Sequence, residues 1–260
     1  MRPAQESLVR ELRADAIVTD AHFFWFASLA DELDVPCVQF YAIGAFSTIA
    51  MAHLIGAVKE GDKEVTIPRL PGHDLMIPTT ELPEFLRSSS EVVVDYYKPK
   101  NVHSGPSAYF GVVVNTFLDL EAEYCEMYTR DKHAKRAYFV GPVSPPPLPA
   151  SGESPCPGSG CLRDTMRFIT ERLVTKVLEI GERLWPEGAG VRSTKDEEKE
   201  IVPAKAVMDA VTKFMEPRGA GEAARSAIKQ LAFKADTAIA KDGSSYRDLL
   251  RLIDDFMQAK

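Results

Sequence analysis

The chain is short of what marks a membrane, secreted or nucleic-acid-binding protein. No apolar run approaches the roughly 20 residues that a membrane-spanning helix needs. The first residues, Met1-Arg2-Pro3-Ala4-Gln5-Glu6, lack the apolar core of a signal peptide. Positive charge is in deficit: 31 Lys and Arg against 38 Asp and Glu leave a net charge of −7. That is the wrong sign for nucleic acid or an anionic membrane surface, so neither is expected as a partner. Cysteine is scarce, with four in 260 residues. Cys37, in an apolar extended run, and Cys125, in a helical one, read as buried free thiols. Cys156 and Cys161 flank Pro-Gly-Ser-Gly, but no second pair or nearby histidine completes a four-ligand site, so no metal is expected. There is also no Gly-x-Ser-x-Gly elbow, P-loop or Gly-rich dinucleotide turn. The expectation is a soluble, cytoplasmic globular chain, long enough for one large domain or two small ones.

What is present is organised around residues 15–41. Ala16-Ile17-Val18 is an apolar run without helical spacing, which predicts a strand buried on both faces, and Asp20 closes it. Phe23, Phe26, Ala27, Ala30 and Leu33 recur at helical spacing, Pro36 ends that helix, and Val38, Phe40 and Tyr41 resume an extended segment. A βαβ unit of this length implies parallel strands joined by a right-handed crossover. Ligands of open α/β sheets sit beyond the carboxyl ends of the strands, where Asp20 lies. An aspartate just ahead of a helix is also a preferred N-cap, and local chemistry leaves both roles open.

Residues 3–13 read as a helix with Leu8, Val9 and Leu12 on one face. Ile43, Phe46, Ile49, Ala50, Leu54 and Ala57 predict another over 43–58, with His53 as a half-buried packing residue. Residues 59–83 are punctuated by proline and read as a long connection bordering a cleft. Thr80 with Glu81 and Glu84 signals a helix start, continued through Tyr96. Gly111 to Phe117 and Ala137 to Pro142, the latter ended by its Gly-Pro, predict two more strands, with a helix from Leu118 to Tyr128 between them. Residues 144–165, rich in Pro, Gly and Ser, read as a linker between domains 1–143 and 166–260. Beyond the linker the pattern is helical throughout, and Ser245 with Asp248 is the expected cap of the last helix. Amphipathic helices bury their stripe against something, yet no strand pattern follows Gly160 to receive these.

Several segments carry a resemblance. Ala14 to Tyr41, Asn115-Thr116-Phe117 with Leu120-Glu121, and Val140-Gly141-Pro142 resemble the second half of the N-terminal domain of plant family-1 UDP-glycosyltransferases. Phe168 to Val174 resembles a part of that family's C-terminal domain, and Gly243-Ser244-Ser245-Tyr246 with the final helix resembles its C-terminus. The resemblance implies an α/β fold of partial GT-B type: a four-stranded parallel Rossmann-like half-domain on the acceptor side, plus a mostly helical remnant of the donor-side domain. On this resemblance Asp20 takes the place of an aspartate that orients a catalytic histidine. His22, Phe23, Phe46 and Met51 fall in the acceptor pocket. The positions that hold the donor sugar fall on Met166 and Arg167, where methionine accepts no strong hydrogen bond and arginine has no acceptor at all. The catalytic histidine has no counterpart. His73 in Pro71-Gly72-His73 resembles its Gly-His only superficially, and His22 is too near Asp20 in sequence to replace it readily. Neither Trp-x-Pro-Gln nor His-Cys-Gly-Trp-Asn-Ser occurs.

The implied activity is transfer of a sugar, glucose above others, from a UDP-sugar to a hydroxyl of a small plant metabolite, aromatic or terpenoid. No separate cofactor is implied. Without the base and the donor signature, the chain as written is expected to be inactive and not to bind the UDP-sugar. The alternative expectation is a non-catalytic small-molecule-binding or interaction protein, whose strand at 15–19 forms a sheet edge able to pair with another copy or an intact relative.

Overall fold

A computed structural model describes residues 2–20, 22–59, 61–67, 70–71, 74–82, 84–87, 109–131, 133–143, 169–184, 188 and 201–259. In chain order the elements are α1 (Arg2–Leu12), β1 (Ile17–Asp20), α2 (Phe26–Leu33), β2 (Cys37–Tyr41), α3 (Ala45–Leu54), β3 (Glu64–Ile67) and β4 (Leu75–Pro78). They continue with α4 (Glu84–Arg87), β5 (Gly111–Val114), α5 (Leu118–Arg130), β6 (Ala137–Phe139), α6 (Ala204–Met215), α7 (Ala220–Ile239) and α8 (Ser244–Gln258). The chain divides into two compact units. One comprises Met1–Ile49, Asp95–Ser144 and Lys234–Lys260; the other comprises Ala50–Val94 and Pro145–Phe233.

The first unit is built on a four-stranded sheet in the order β1-β2-β5-β6, parallel throughout. Successive side chains on a strand point to opposite faces, and here each face has its own helices. Ile17 and Cys37 pack with Phe26, Ala27, Leu29 and Ala30 of α2, flanked by Val9 of α1. On the other face Val38, Val113 and Tyr138 pack with Leu252 of α8, and Phe256 lies beside them. Strands β5 and β6 are buried at every position. Strand β1 departs from the expected burial on both faces: Ile17 and Thr19 are covered, whereas Val18 is 61% exposed. The reason is its place at the sheet edge, on the face where Leu252 reaches β2, β5 and β6.

Helix α8 is tied to the strands by polar groups as well as by its apolar face. The Tyr138 hydroxyl donates to Asp255 at 2.6 Å, and the Phe139 N–H donates to Asp248 at 2.7 Å. The Ser245 hydroxyl donates to the Gly141 carbonyl at 2.6 Å, and Arg251 donates to the Ala137 carbonyl at 2.7 Å. Ser245 and Asp248 therefore do not act as the expected cap. Gly243 occupies the N-cap position and makes no side-chain cap bond, while the two polar side chains satisfy groups at the end of β6.

In the second unit, part of the segment read as a connection is an antiparallel hairpin of β3 and β4. Val65, Ile67, Leu75 and Ile77 are buried and their alternate neighbours Glu64, Thr66 and Met76 are exposed, the period-two pattern of a half-buried sheet. A 3-10 turn, Thr79–Glu81, follows directly, and a π-helical turn covers Leu173–Val177. Among the described residues after 169 there is no strand. The stripes of α6 and α7 stay largely open, with Phe233 at 74% and Met208 at 62% exposure. The linker at 144–165 and the helix continuation at 88–96 lie outside the described residues.

Candidate functional site

Asp20 ends β1 opposite Phe40 of β2, at the carboxyl edge of the sheet. Its carboxylate accepts the His22 backbone N–H at 2.9 Å, two residues on, the geometry of an Asx turn. It does not cap α2, which begins only at Phe26, with Trp25 at the N-cap position and no side-chain cap bond. The His22 imidazole meets the same oxygen, Nδ1 to Oδ1, at 2.5 Å. Proximity in sequence, expected to keep these two groups from pairing, is what joins them: the turn folds residue 22 back over the carboxylate that stabilises it. Both side chains remain open to solvent, Asp20 at 45% and His22 at 25%.

A polar layer runs through the neighbouring strand. The Tyr41 hydroxyl donates to Gln39 Oε1 at 3.1 Å, within the buried part of β2. Burial first, then the nearby Tyr128, Tyr109 and Asp20, raise the Tyr41 phenol well above its ordinary range, so it stays a donor. Tyr109 donates to the Phe24 carbonyl at 2.9 Å and packs under the turn that carries the aromatic run Phe23-Phe24-Trp25. Phe23 and Trp25 are partly buried, with ring centroids 5.1 Å apart. In the sequence this layer is marked only by Gln39, a polar residue inside an apolar strand. Cys37 and Cys125 are buried free thiols, and burial, followed by the charge of Asp31, pushes Cys37 up to about 12.

Phe46 and Met51, expected at the acceptor pocket, are both buried in α3. Phe46 packs edge-on against Tyr124 at 5.0 Å. The start of α3 is held by Glu121, whose carboxylate accepts the Phe46 N–H at 3.1 Å. An anion at a helix N-terminus satisfies unpaired N–H groups and meets the positive end of the helix dipole. Burial raises the Glu121 carboxyl above its ordinary value, against the opposing hydrogen bonds from Phe46, Ala45 and Thr116. A Cβ at Gly44 would run into the Glu121 carboxylate and force it to shift from the helix start. Met166, Arg167 and His73 lie outside the described residues.

In the second unit Glu81 is buried among cations. Its carboxylate accepts from Arg172 at 2.6 Å, Arg183 at 2.9 Å and the Gly188 N–H at 2.6 Å. Burial pushes its carboxyl up, but the Gly188 N–H and the two guanidinium groups outweigh that and hold it below its ordinary value. A cavity of about 730 Å³ beside them is lined by Lys63, Glu64, Asp74, Thr80, Arg172 and Lys176 among others, a mixture of charges with no dominant sign. Among the described residues no three His, Cys, Asp or Glu side chains gather as metal ligands, and no helix is long and apolar enough to cross a membrane.

No protein-family model matches the chain. It is 28% identical over 149 residues to the scopoletin glucosyltransferase of Nicotiana tabacum, covering 55% of this chain and 31% of that protein. It is 32% identical over 144 residues to the UDP-glucosyl transferase 73DL1 of Saponaria officinalis, covering 54% and 28%. The structure superposes on UGT73P12 of Glycyrrhiza uralensis, solved with glycyrrhetinic acid 3-O-monoglucuronide, with a TM-score of 0.79 at 17% identity, over 99% of this chain and 76% of that one. The chain is related to the plant UDP-glycosyltransferases. Its parallel sheet and helices match their GT-B structures, among them UGT71G1 of Medicago truncatula, complexed with UDP-glucose, at a TM-score of 0.69 and 14% identity. The sequence matches span under a third of the length of those curated relatives. Within this glycosyltransferase-like chain, the strand end that bears Asp20 is the candidate site.

Proposed function

We propose that this chain carries the acceptor-side part of a UDP-glycosyltransferase and does not by itself transfer sugar. The intact activity implied by its relatives is transfer of a sugar, glucose in the first place, from UDP to a hydroxyl of a small plant metabolite. What supports the reading is chemical: the donor signature does not occur in the sequence, and the resemblance aligns Met166 and Arg167 with a carboxylate and an amide that would hold the sugar hydroxyls. Without donor positioning, the gain from holding the two reactants in place is lost. Incubation with UDP-glucose and a panel of flavonols, followed by chromatography, is expected to give no glucoside above the protein-free control. Glucoside formed at ordinary enzyme rates would overturn the reading.

A second reading, association with another chain, is favoured by the place of β1, which has no strand on its outer side among the described residues. Val18 is exposed there, and Leu8 and Leu12 of the neighbouring α1 are exposed as well. An unpaired parallel edge with apolar side chains is a template for a further strand. Sedimentation velocity is expected to show a concentration-dependent dimer that Val18→Lys weakens; a monomer at all concentrations excludes self-pairing.

A further inference from the structure

We propose that the open face of α6 is a self-pairing surface, on which a second copy of this chain lays its own α6 in antiparallel register. Ala204, Met208, Val211 and Met215 follow one another at intervals of four, three and four residues, the stripe by which two helices pack lengthwise. All four are exposed, and no residue of α6 is buried. The remaining sides of the helix are engaged. Lys213, on the side opposite the stripe, pairs with Glu182 at 2.7 Å. Phe214, on one flank, lies against the start of α7: the Arg225 guanidinium stands 6.0 Å from its ring, and Gly221 comes so near that a Cβ there would strike the Phe214 carbonyl. The stripe and its other flank, with Lys205, Asp209, Thr212 and Glu216, stay open to solvent.

The charges on that open flank say what covers it. In an antiparallel pair, a flank of one helix faces the same flank of the other, running the opposite way. Met208 then meets the partner's Val211, Ala204 meets the partner's Met215, and Lys205 comes between the partner's Asp209 and Glu216. A two-fold axis relates the copies, so each contact is made twice. A parallel pair would instead set this flank against the one that carries Phe214, which α7 already occupies. The stripe supplies the affinity, because its apolar surface leaves water on pairing. The ion pairs along its rim are worth little alone, but they fix the direction. This surface is separate from the edge at β1: α6 belongs to the second compact unit and β1 to the first.

The test uses the full chain carrying Val18→Lys, so that pairing at β1 adds nothing. Sedimentation velocity is expected to show a dimer whose share grows with concentration. Val211→Asp changes a surface position, so the helical circular dichroism of the single chain is expected to stay as it is. It is expected to raise the dissociation constant about tenfold or more, and Lys205→Glu, which sets carboxylates against carboxylates, by a similar factor. Mixing two variants then reads the direction of pairing. Lys205→Glu makes the flank wholly acidic, and Asp209→Lys with Glu216→Lys makes it wholly basic, so neither chain pairs well with itself. In an equal mixture, native mass spectrometry is expected to show the heterodimer in about tenfold excess over either homodimer. A monomer at all concentrations, a dimer indifferent to Val211→Asp and Lys205→Glu, or a mixture without preference for the heterodimer would each overturn the proposal. A dimer of the unaltered chain that Val18→Lys alone abolishes assigns the pairing to β1 and removes it from α6.

Discussion

At the residue scale, the same acidic chemistry serves three ends, decided by what surrounds each carboxylate. Asp20 is half exposed and closes a turn; Glu121 is buried against a helix N-terminus; Glu81 is buried between two guanidinium groups. Glu81 gives a pH signature. Its carboxyl is lowered in the folded chain from 4.5, so the unfolded chain binds more protons in the interval below that value. The stability it contributes is therefore complete above the unfolded value and is lost as pH falls through the folded one. Glu81→Gln is expected to cost roughly 3 kcal/mol at neutral pH, because it leaves buried cations without their anion. Urea titrations from pH 7 down to 3 are expected to show a shallower acid-side decline for the variant than for the wild type. Parallel declines would remove Glu81 as the cause. None of this was visible in the sequence, where Thr80, Glu81 and Glu84 resemble an ordinary helix start. The arginines lie 91 and 102 residues away, and no local spacing records such a pair.

At the scale of elements, the parallel strands were legible because both-face burial writes a continuous apolar run, as in Gly111–Val114. The β3–β4 hairpin was not, since its flanking prolines resemble a loop although Glu64-Val65-Thr66-Ile67 alternates as a strand should. The last helix was found, but its polar residues were assigned to its own cap. Ser245 and Asp248 instead reach Gly141 and Phe139, more than a hundred positions earlier, and so dock α8 on the sheet. Two apolar residues then behave differently for a stated reason. Leu252 is buried against Val38, Val113 and Tyr138, whereas Met208 of α6 is exposed. Leu252→Ala is expected to lower stability by about 2–4 kcal/mol in chemical denaturation. Met208→Ser is expected to stay within about 0.5 kcal/mol. Equal effects would mean that α8 does not complete the sheet's core.

For the whole molecule, the fold and the family resemblance were readable together, because short motifs kept their order along the chain. The site was readable only in part. Asp20 stands out at its strand end, but the imidazole that meets it lies only two residues on, and a local Asx turn rather than any long-range contact brings the two together. Phe46 and Met51 were placed by resemblance, and their burial in α3 reflects packing that no single segment specifies. The proposed loss of transfer rests on the donor side, where the sequence offers no cradle for a nucleotide. Isothermal titration of UDP into the purified chain tests this most directly. No saturable heat is expected up to millimolar nucleotide, and a stoichiometric isotherm with micromolar affinity would contradict it.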